Sequence, residues 1–422
     1  MRNEVSSGKN TGTLWTRDFT IITVGSVISM LGNSVSGFAM SLLVLDISQS
    51  TFLYAVYLAM YTLPQLVMPV IFGAVLDRFS RRKMIYMLDF LSSGLYLMMA
   101  IVLAGGWFSF PLFAVYCFVI GSIQSIYMVA YESFYPLLIT EGFFQKAYSI
   151  ASVLETFTAV MVPVSAFLYG KIGLAPLLAV NAVCFFLAAV METQIRAQER
   201  YIEKQRSTLE EKVPYRRQIF ADIRDGFAYL VSEKGLLIVA VYFAISSVCG
   251  GTSWTLTLPY FRNTFEHGEY IYMLVWGTML AARSLGGLFH YRWSIPAAWR
   301  YMIALVVYVV INVNEGIYLF FPIPVMMALC AVIGVGGVTT YTIRVSATQS
   351  YVPDENKGRF NGAFNVLNTA GQLLGELLAG VLALYMNERI ILMIVMLSGA
   401  ASAILLIGGG RRYVEPIYNR QE

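Results

Sequence analysis

Charge is scarce in this chain: Asp, Glu, Lys and Arg together make up 13% of 422 residues, about half the share of an ordinary soluble domain. Histidine is rarer still, with His267 and His290 at opposite ends of one apolar run. No His-Glu-x-x-His and no Cys-His cluster occurs, so an integral membrane enzyme would lack a catalytic constellation, and the chain is read as a non-enzyme. No Gly-Lys-Ser/Thr phosphate loop occurs either, so direct ATP coupling would have to come from a partner. Cys117, Cys184, Cys249 and Cys330 all fall inside apolar runs without a close pair, which argues for packing and against metal sites or structural disulfides. No metal and no cofactor is expected. The net charge of +4 offers no footing for nucleic acid. The first 16 residues are polar without an apolar core, which predicts no cleavable signal peptide.

What the chain has instead is apolar length. Its hydrophobic share is 58% and its mean hydropathy +0.65, which define a polytopic membrane protein. Crossing the hydrocarbon core takes roughly 20 apolar residues. That ruler gives 12 spans, approximately 18 to 45, 51 to 76, 83 to 105, 111 to 134, 147 to 169, 174 to 195, 235 to 258, 269 to 291, 300 to 320, 323 to 349, 361 to 386 and 389 to 410. Between the ninth and tenth, Asn312 to Gly316 and Pro322-Ile323-Pro324 each offer a turn.

Orientation follows from Lys and Arg. With both termini cytoplasmic, inner segments hold 24 of the 29 basic residues; outer loops hold three (Lys171, Arg262, Arg389) and helices two (Arg283, Arg344). The one long polar connection, 196 to 234, carries nine basic and seven acidic residues. It divides the chain into an N-terminal six-helix bundle at 1–195, a cytoplasmic linker at 196–234 and a C-terminal six-helix bundle at 235–422. After Pro214, the spacing of Ile219, Phe220, Ile223, Phe227, Leu230 and Val231 along one helix side suits a helix on the membrane surface, or a solvated connector with incidental periodicity. The halves echo each other: Gly287 to Arg292 repeats Gly73 to Arg78 in position, and Val352-Pro353 repeats Tyr135-Pro136.

A charged turn joins the second and third spans, Gly73-Ala74-Val75-Leu76-Asp77-Arg78-Phe79-Ser80-Arg81-Arg82-Lys83. It resembles the loop 2-3 signature of the major facilitator superfamily, matched by Gly73, Asp77, Arg78, Arg81 and Arg82, with Ser80 where a second Gly is usual. The resemblance implies an all-α fold of twelve transmembrane helices in two bundles, each built of inverted three-helix units. It also implies that Asp77, Arg78 and Arg81 latch the outward-facing state. Asp77 could accept from backbone N–H groups near Asn361, a favourable helix end for an anion, and Arg81 or Arg82 could reach Glu132.

Further stretches are similar to the macrolide-efflux and siderophore-export branch: Leu14 to Phe19, Leu45 to Ser50, Asp222 to Phe227 and Val352 to Arg359. Departures stand beside them. Gly32-Asn33 replaces the branch's Gly-Asp, Cys117 stands where drug-proton antiporters place a basic residue, and Val162-Pro163 lacks the antiporter glycines. These put proton antiport through the usual residues in question.

A charge inside a bilayer costs at least about 2.5 to 3.5 kcal/mol, so each one kept there should face protein or water. Glu155, Arg283, Glu376 and Asp89 are the candidates. Glu155 and Arg283 each lie nine residues from a cytoplasmic basic residue, ~13 Å deep at ~1.5 Å per residue. In the family fold their helices are neighbours, which suggests an interdomain ion pair that holds one access state, or a permanent packing pair. Glu376 is the candidate proton carrier, or a neutral Glu bonded to Tyr61 or Gln65. The family's cavity is lined by helices one, four, seven and ten. Asn33, Phe38, Gln124, Tyr127, Tyr131, Ser247, Trp254, Thr339 and Tyr341 are its candidate contacts here, each of which packing would also explain. Aromatics and small polar groups suit a bulky amphiphilic solute.

The expectation is thus a secondary active exporter of a lipophilic small molecule, drug or siderophore, working by alternating access with protons as an optional coupling partner. It is expected to be a monomer in a bacterial inner membrane. Lysolipid flipping or nutrient uptake are the alternatives.

Overall fold

Twelve apolar runs become twelve long helices, because a chain in hydrocarbon must satisfy its backbone polar groups within each segment. The computed structural model describes residues 13–140, 143–197, 215–292 and 295–420, and the backbone alone at 70, 73–78, 144–145, 148–149, 151–160, 215–223, 291 and 354–355. In chain order the helices are α1 (Arg17–Ser48), α2 (Thr51–Arg78), α3 (Arg81–Ala104), α4 (Phe110–Phe134), α5 (Phe144–Ile172), α6 (Leu174–Glu192), α7 (Tyr215–Ser232), α8 (Lys234–Thr264), α9 (Gly268–Arg292), α10 (Ala297–Ile317), α11 (Ile323–Tyr351), α12 (Asp354–Leu382), α13 (Glu388–Ser402) and α14 (Arg411–Tyr418). A π-helical turn, Ala403–Gly408, extends α13.

Among the described residues, ten of these helices are long and apolar enough to cross a membrane. In α5 the apolar stretch described is Met161–Ile172. α12 falls short because Lys357, Arg359, Asn361, Asn365, Asn368, Gln372 and Glu376 interrupt its apolar residues. Of these, Glu376 is buried while Arg359, Asn365 and Gln372 are exposed.

Local chemistry sets the helix ends. Ser80 caps α3, its side chain accepting from the Lys83 N–H at 3.2 Å, so the residue that replaces the signature glycine satisfies an otherwise orphan donor. Ser109 and Asn387 cap α4 and α13 in the same way. Of the two turns offered between the ninth and tenth spans, the chain uses the later one. α10 runs through Asn312 to Gly316, and the break is the 3-10 turn Tyr318–Phe320 followed by Pro322. Asn312 is tolerated inside a helix because its Nδ2 donates to the Tyr308 carbonyl at 2.8 Å.

The chain forms two compact units. The first comprises 1–40 and 68–211, the second 41–67 and 212–422. The sequence reading kept 41–67 with the first six spans; its packing groups it with the second unit.

In the first unit α3 lies along α6, α4 packs on α3, and α5 on α6. Tyr96 stacks on Phe185 with centroids 5.4 Å apart, and Ser93 donates to the Ala182 carbonyl at 2.8 Å. Asn181, fully buried, donates to Ser36 on α1 at 2.7 Å. Phe19, Ile22, Ile85, Phe134 and Tyr135 form a second apolar cluster.

In the second unit α8 lies against α12, and α9 against α11. The α8–α12 contact is backbone to backbone. A methyl at Gly251, Gly371 or Gly375 would stand 2.2, 2.4 or 2.1 Å from the carbonyls of Gln372, Ala244 and Val248. Small residues let membrane helices approach this closely. The 41–67 hairpin is sewn in by Arg262, which pairs with Asp46 and donates to the Leu42 carbonyl, and by Thr51, which donates to Glu388 at 3.2 Å.

The amphipathic segment after Pro214 is α7, and its destination differs from the membrane surface suggested by its periodicity. Leu230 is buried in a core shared with Tyr242, Tyr301, Phe360 and Ile417, and the half-buried Phe227 and Tyr229 pack against it. Gly226 lets α7 touch α12, since a methyl there would lie 2.6 Å from the Arg359 carbonyl. Val231 on the same stripe is exposed.

Candidate functional site

The buried acids mark where each unit departs from an apolar interior. In the second unit Glu376 is 1% exposed. Its Oε1 accepts from Thr62 Oγ1 at 3.1 Å and from Gln372 Nε2 at 2.9 Å, while Oε2 has no partner among the described residues. Thr62, on the same helix as Tyr61 and Gln65, is therefore the α2 partner. The glycine contact between α8 and α12 brackets the site, because Gly375 precedes Glu376 and Gly251 abuts its backbone nitrogen. A second acid, Glu315 on α10, accepts from Ser253 Oγ at 2.6 Å.

Arg344 on α11 is held by rings. Its guanidinium centre lies 5.0 Å from the Phe243 centroid, 4.9 Å from Phe364 and 5.6 Å from Tyr341. Aromatic faces replace part of the solvation a cation loses away from water. Its Nε is buried without a partner among the described residues.

The remaining second-unit candidates divide by exposure. Trp254 and Tyr341 are 46% and 53% exposed, and Trp254 meets Trp276 edge-on at 5.4 Å. Ser247 donates to Asn368 at 3.1 Å. Thr339 is buried, 2.7 Å from His290 Nε2. Arg283 is exposed on α9.

In the first unit Asn33 accepts from Tyr96 OH at 2.9 Å. Tyr127 and Tyr131 stack at 5.9 Å, and Tyr131 and Tyr135 at 5.3 Å, a ladder that runs from α4 into the 3-10 turn after it. Phe38 and Gln124 are half-buried. Asp89 on α3 is 1% exposed and faces Glu192, the last residue of α6, at 0%. Sequence reasoning singled out Asp89 but passed over Glu192, because an acid at the end of a span is unremarkable without its neighbour.

The loop signature is described in part. Arg81 Nη1 donates to the Ser133 carbonyl at 3.0 Å and Arg82 to the Ile195 carbonyl, so both cations cap helix ends. Glu132, their expected partner, is exposed. Gly73, Asp77 and Arg78 lie on the last turns of α2 and Glu155 lies on α5; the side chains of all four, and with them the expected contacts of Asp77 and Glu155, fall outside the described residues.

Long apolar helices that bury acids such as Glu376 describe a multi-pass membrane protein. Residues 22–376 match the Major Facilitator Superfamily, and the chain belongs to that family. It is 23% identical to the uncharacterized MFS-type transporter YkuC of Bacillus subtilis (strain 168) over 294 residues, 66% of this chain and 68% of that protein. Its fold is shared with solved transporters of low identity. The D-xylose-proton symporter superposes with a TM-score of 0.68 at 11% identity, over 97% of this chain and 100% of the other. The nucleoside transporter NupG gives 0.66 at 14%, over 94% and 99%. A bacterial homologue of the iron transporter ferroportin gives 0.64 at 14%, over 96% and 99%.

Proposed function

We propose that this protein is a proton-coupled secondary transporter that exports a lipophilic, amphiphilic small molecule of the drug or siderophore class. The observation that carries the coupling is Glu376: a carboxyl inside a helix contact, with one oxygen held by two donors and the other without a partner among the described residues. Such a group can take up a proton on Oε2 while Thr62 and Gln372 keep its position, which is the behaviour required of a carrier. The exposed rings of Trp254 and Tyr341 supply apolar surface for a bulky solute. Asp77, Arg78 and Arg81 act as the conformational latch that the signature implies. The protein works as a monomer in a bacterial inner membrane, with both termini cytoplasmic.

Structural relatives named for a nucleoside, xylose and iron share the fold, so substrate class has to come from a screen. Proteoliposomes loaded with a pH-sensitive dye test the proposal, with macrolides, cationic dyes, catecholate siderophores, nucleosides and pentoses as candidates. Proton movement that one lipophilic class triggers, and that vanishes in Glu376→Gln, is the expected result. Substrate movement with no proton flux would sink the coupling, and a response to nucleosides or pentoses alone would sink the export reading.

A further inference from the structure

The first unit holds a cluster of oxygens that nothing described so far employs. Asp89 Oδ2, both oxygens of Glu192, Ser26 Oγ and Tyr127 OH are all buried and receive no hydrogen bond from an N–H or O–H group among the described residues. They converge from four helices. Glu192 Oε1 lies against α1, where a methyl on Gly25 would stand 3.5 Å away, one residue before Ser26. Tyr127 on α4 lies within electrostatic reach of both carboxyls and beside Ser26.

The two carboxyl groups face each other across the packed α3–α6 pair. A carboxylate only accepts, so a hydrogen bond between two carboxyls requires that one of them carry the hydrogen. Two like charges in contact away from water would repel strongly, and one shared proton removes the conflict. Arg81 and Arg82, at the start of α3, direct hydrogen bonds to the Ser133 and Ile195 carbonyls. Asp18 on α1 accepts from the Arg196 backbone N–H, and Glu132 on α4 is exposed.

We propose that Asp89 and Glu192 share one proton and form a proton-binding site in the first unit, separate from Glu376 in the second. Ser26 and Tyr127 are the neighbouring hydroxyls able to rotate a hydrogen toward whichever oxygen holds the charge. The use of this site in a transport cycle rests on the coupling reading above, whereas the bound proton does not.

Infrared difference spectroscopy of the purified protein in nanodiscs at neutral pH tests it, wild type against the double variant Asp89→Asn, Glu192→Gln. One protonated-carboxyl C=O band and one carboxylate band, the former shifting in deuterium oxide, are expected to disappear together in the double variant. Loss of two carboxylate bands, or of two protonated bands, would overturn the sharing of a single proton. Where the double variant does not fold, Glu192→Gln alone decides: a shared proton requires the remaining protonated band to move or vanish, and an unchanged band overturns the proposal. No substrate enters this measurement, so it stands or falls independently of the Glu376→Gln transport assay.

Discussion

Glu376 in the second unit is gripped by a threonine and a glutamine, while Asp89 and Glu192 in the first have each other. Both arrangements keep carboxyl groups out of water, and they solve the problem from opposite directions. Donors from neutral side chains stabilise an ion in place. A second acid does the reverse, since it can be accommodated only by retaining a proton. The two units of one fold thus bury acids by different chemistry, which suggests different parts in a cycle.

The comparison can be broken most severely at the glycine seam. Gly375→Val would place a side chain where 2.1 Å separates a methyl position from the Val248 carbonyl. Backbone cannot yield as a side-chain tip can, so loss of monodisperse protein in size-exclusion chromatography is expected. Recovery of normal yields would mean that the seam is looser than drawn. Next comes Glu376→Gln, in which uphill transport is expected to be lost while substrate exchange across the membrane continues; counterflow beside pH-driven uptake reads the split. Asp89→Ala should cost more stability than Asp89→Asn, because alanine strands Glu192 without a partner whereas asparagine can donate to it, a difference of about 1–3 kcal/mol. Thermal unfolding monitored by tryptophan fluorescence compares the two, and equal losses would argue against direct carboxyl contact.

Thr62→Val removes one of two donors from Glu376, with an expected loss of about 0.5–1.5 kcal/mol. The smallest effect belongs to an acid outside the membrane spans. Glu415, partly exposed, accepts from Arg411 at 2.8 and 3.2 Å, and this bonding holds its carboxyl below the usual range. A depressed acid contributes above its unfolded titration range and loses that contribution as pH falls through its folded value. Solvent screens it, so Glu415→Gln should leave unfolding at neutral pH unchanged within error.

Much of the fold was legible because the bilayer imposes one length on every span, and apolar runs report it directly. The errors fall where polar residues serve packing. Asn312 looked like part of a turn until its side chain was seen bonded to Tyr308 within α10, and the same misreading hid Glu315. α7 was visible as a helix from its period, but periodicity cannot say whether an apolar stripe meets lipid or protein, and Leu230 meets protein. Glu376 stood out as an acid in an apolar stretch. Its partner on α2 did not, because a hydrogen bond across 314 positions of sequence leaves no local trace. Glu192 was hidden for the same reason.

That α7 is bound into the core of the second unit has a practical consequence for dividing the chain. Two co-expressed polypeptides severed ahead of Tyr215 should reassemble into active protein, because the downstream piece keeps Leu230 and Gly226 in their seats on α12. Severed after Ser232, the same downstream piece would begin with an uncovered apolar core and a missing plug, and would be degraded before it met its other half.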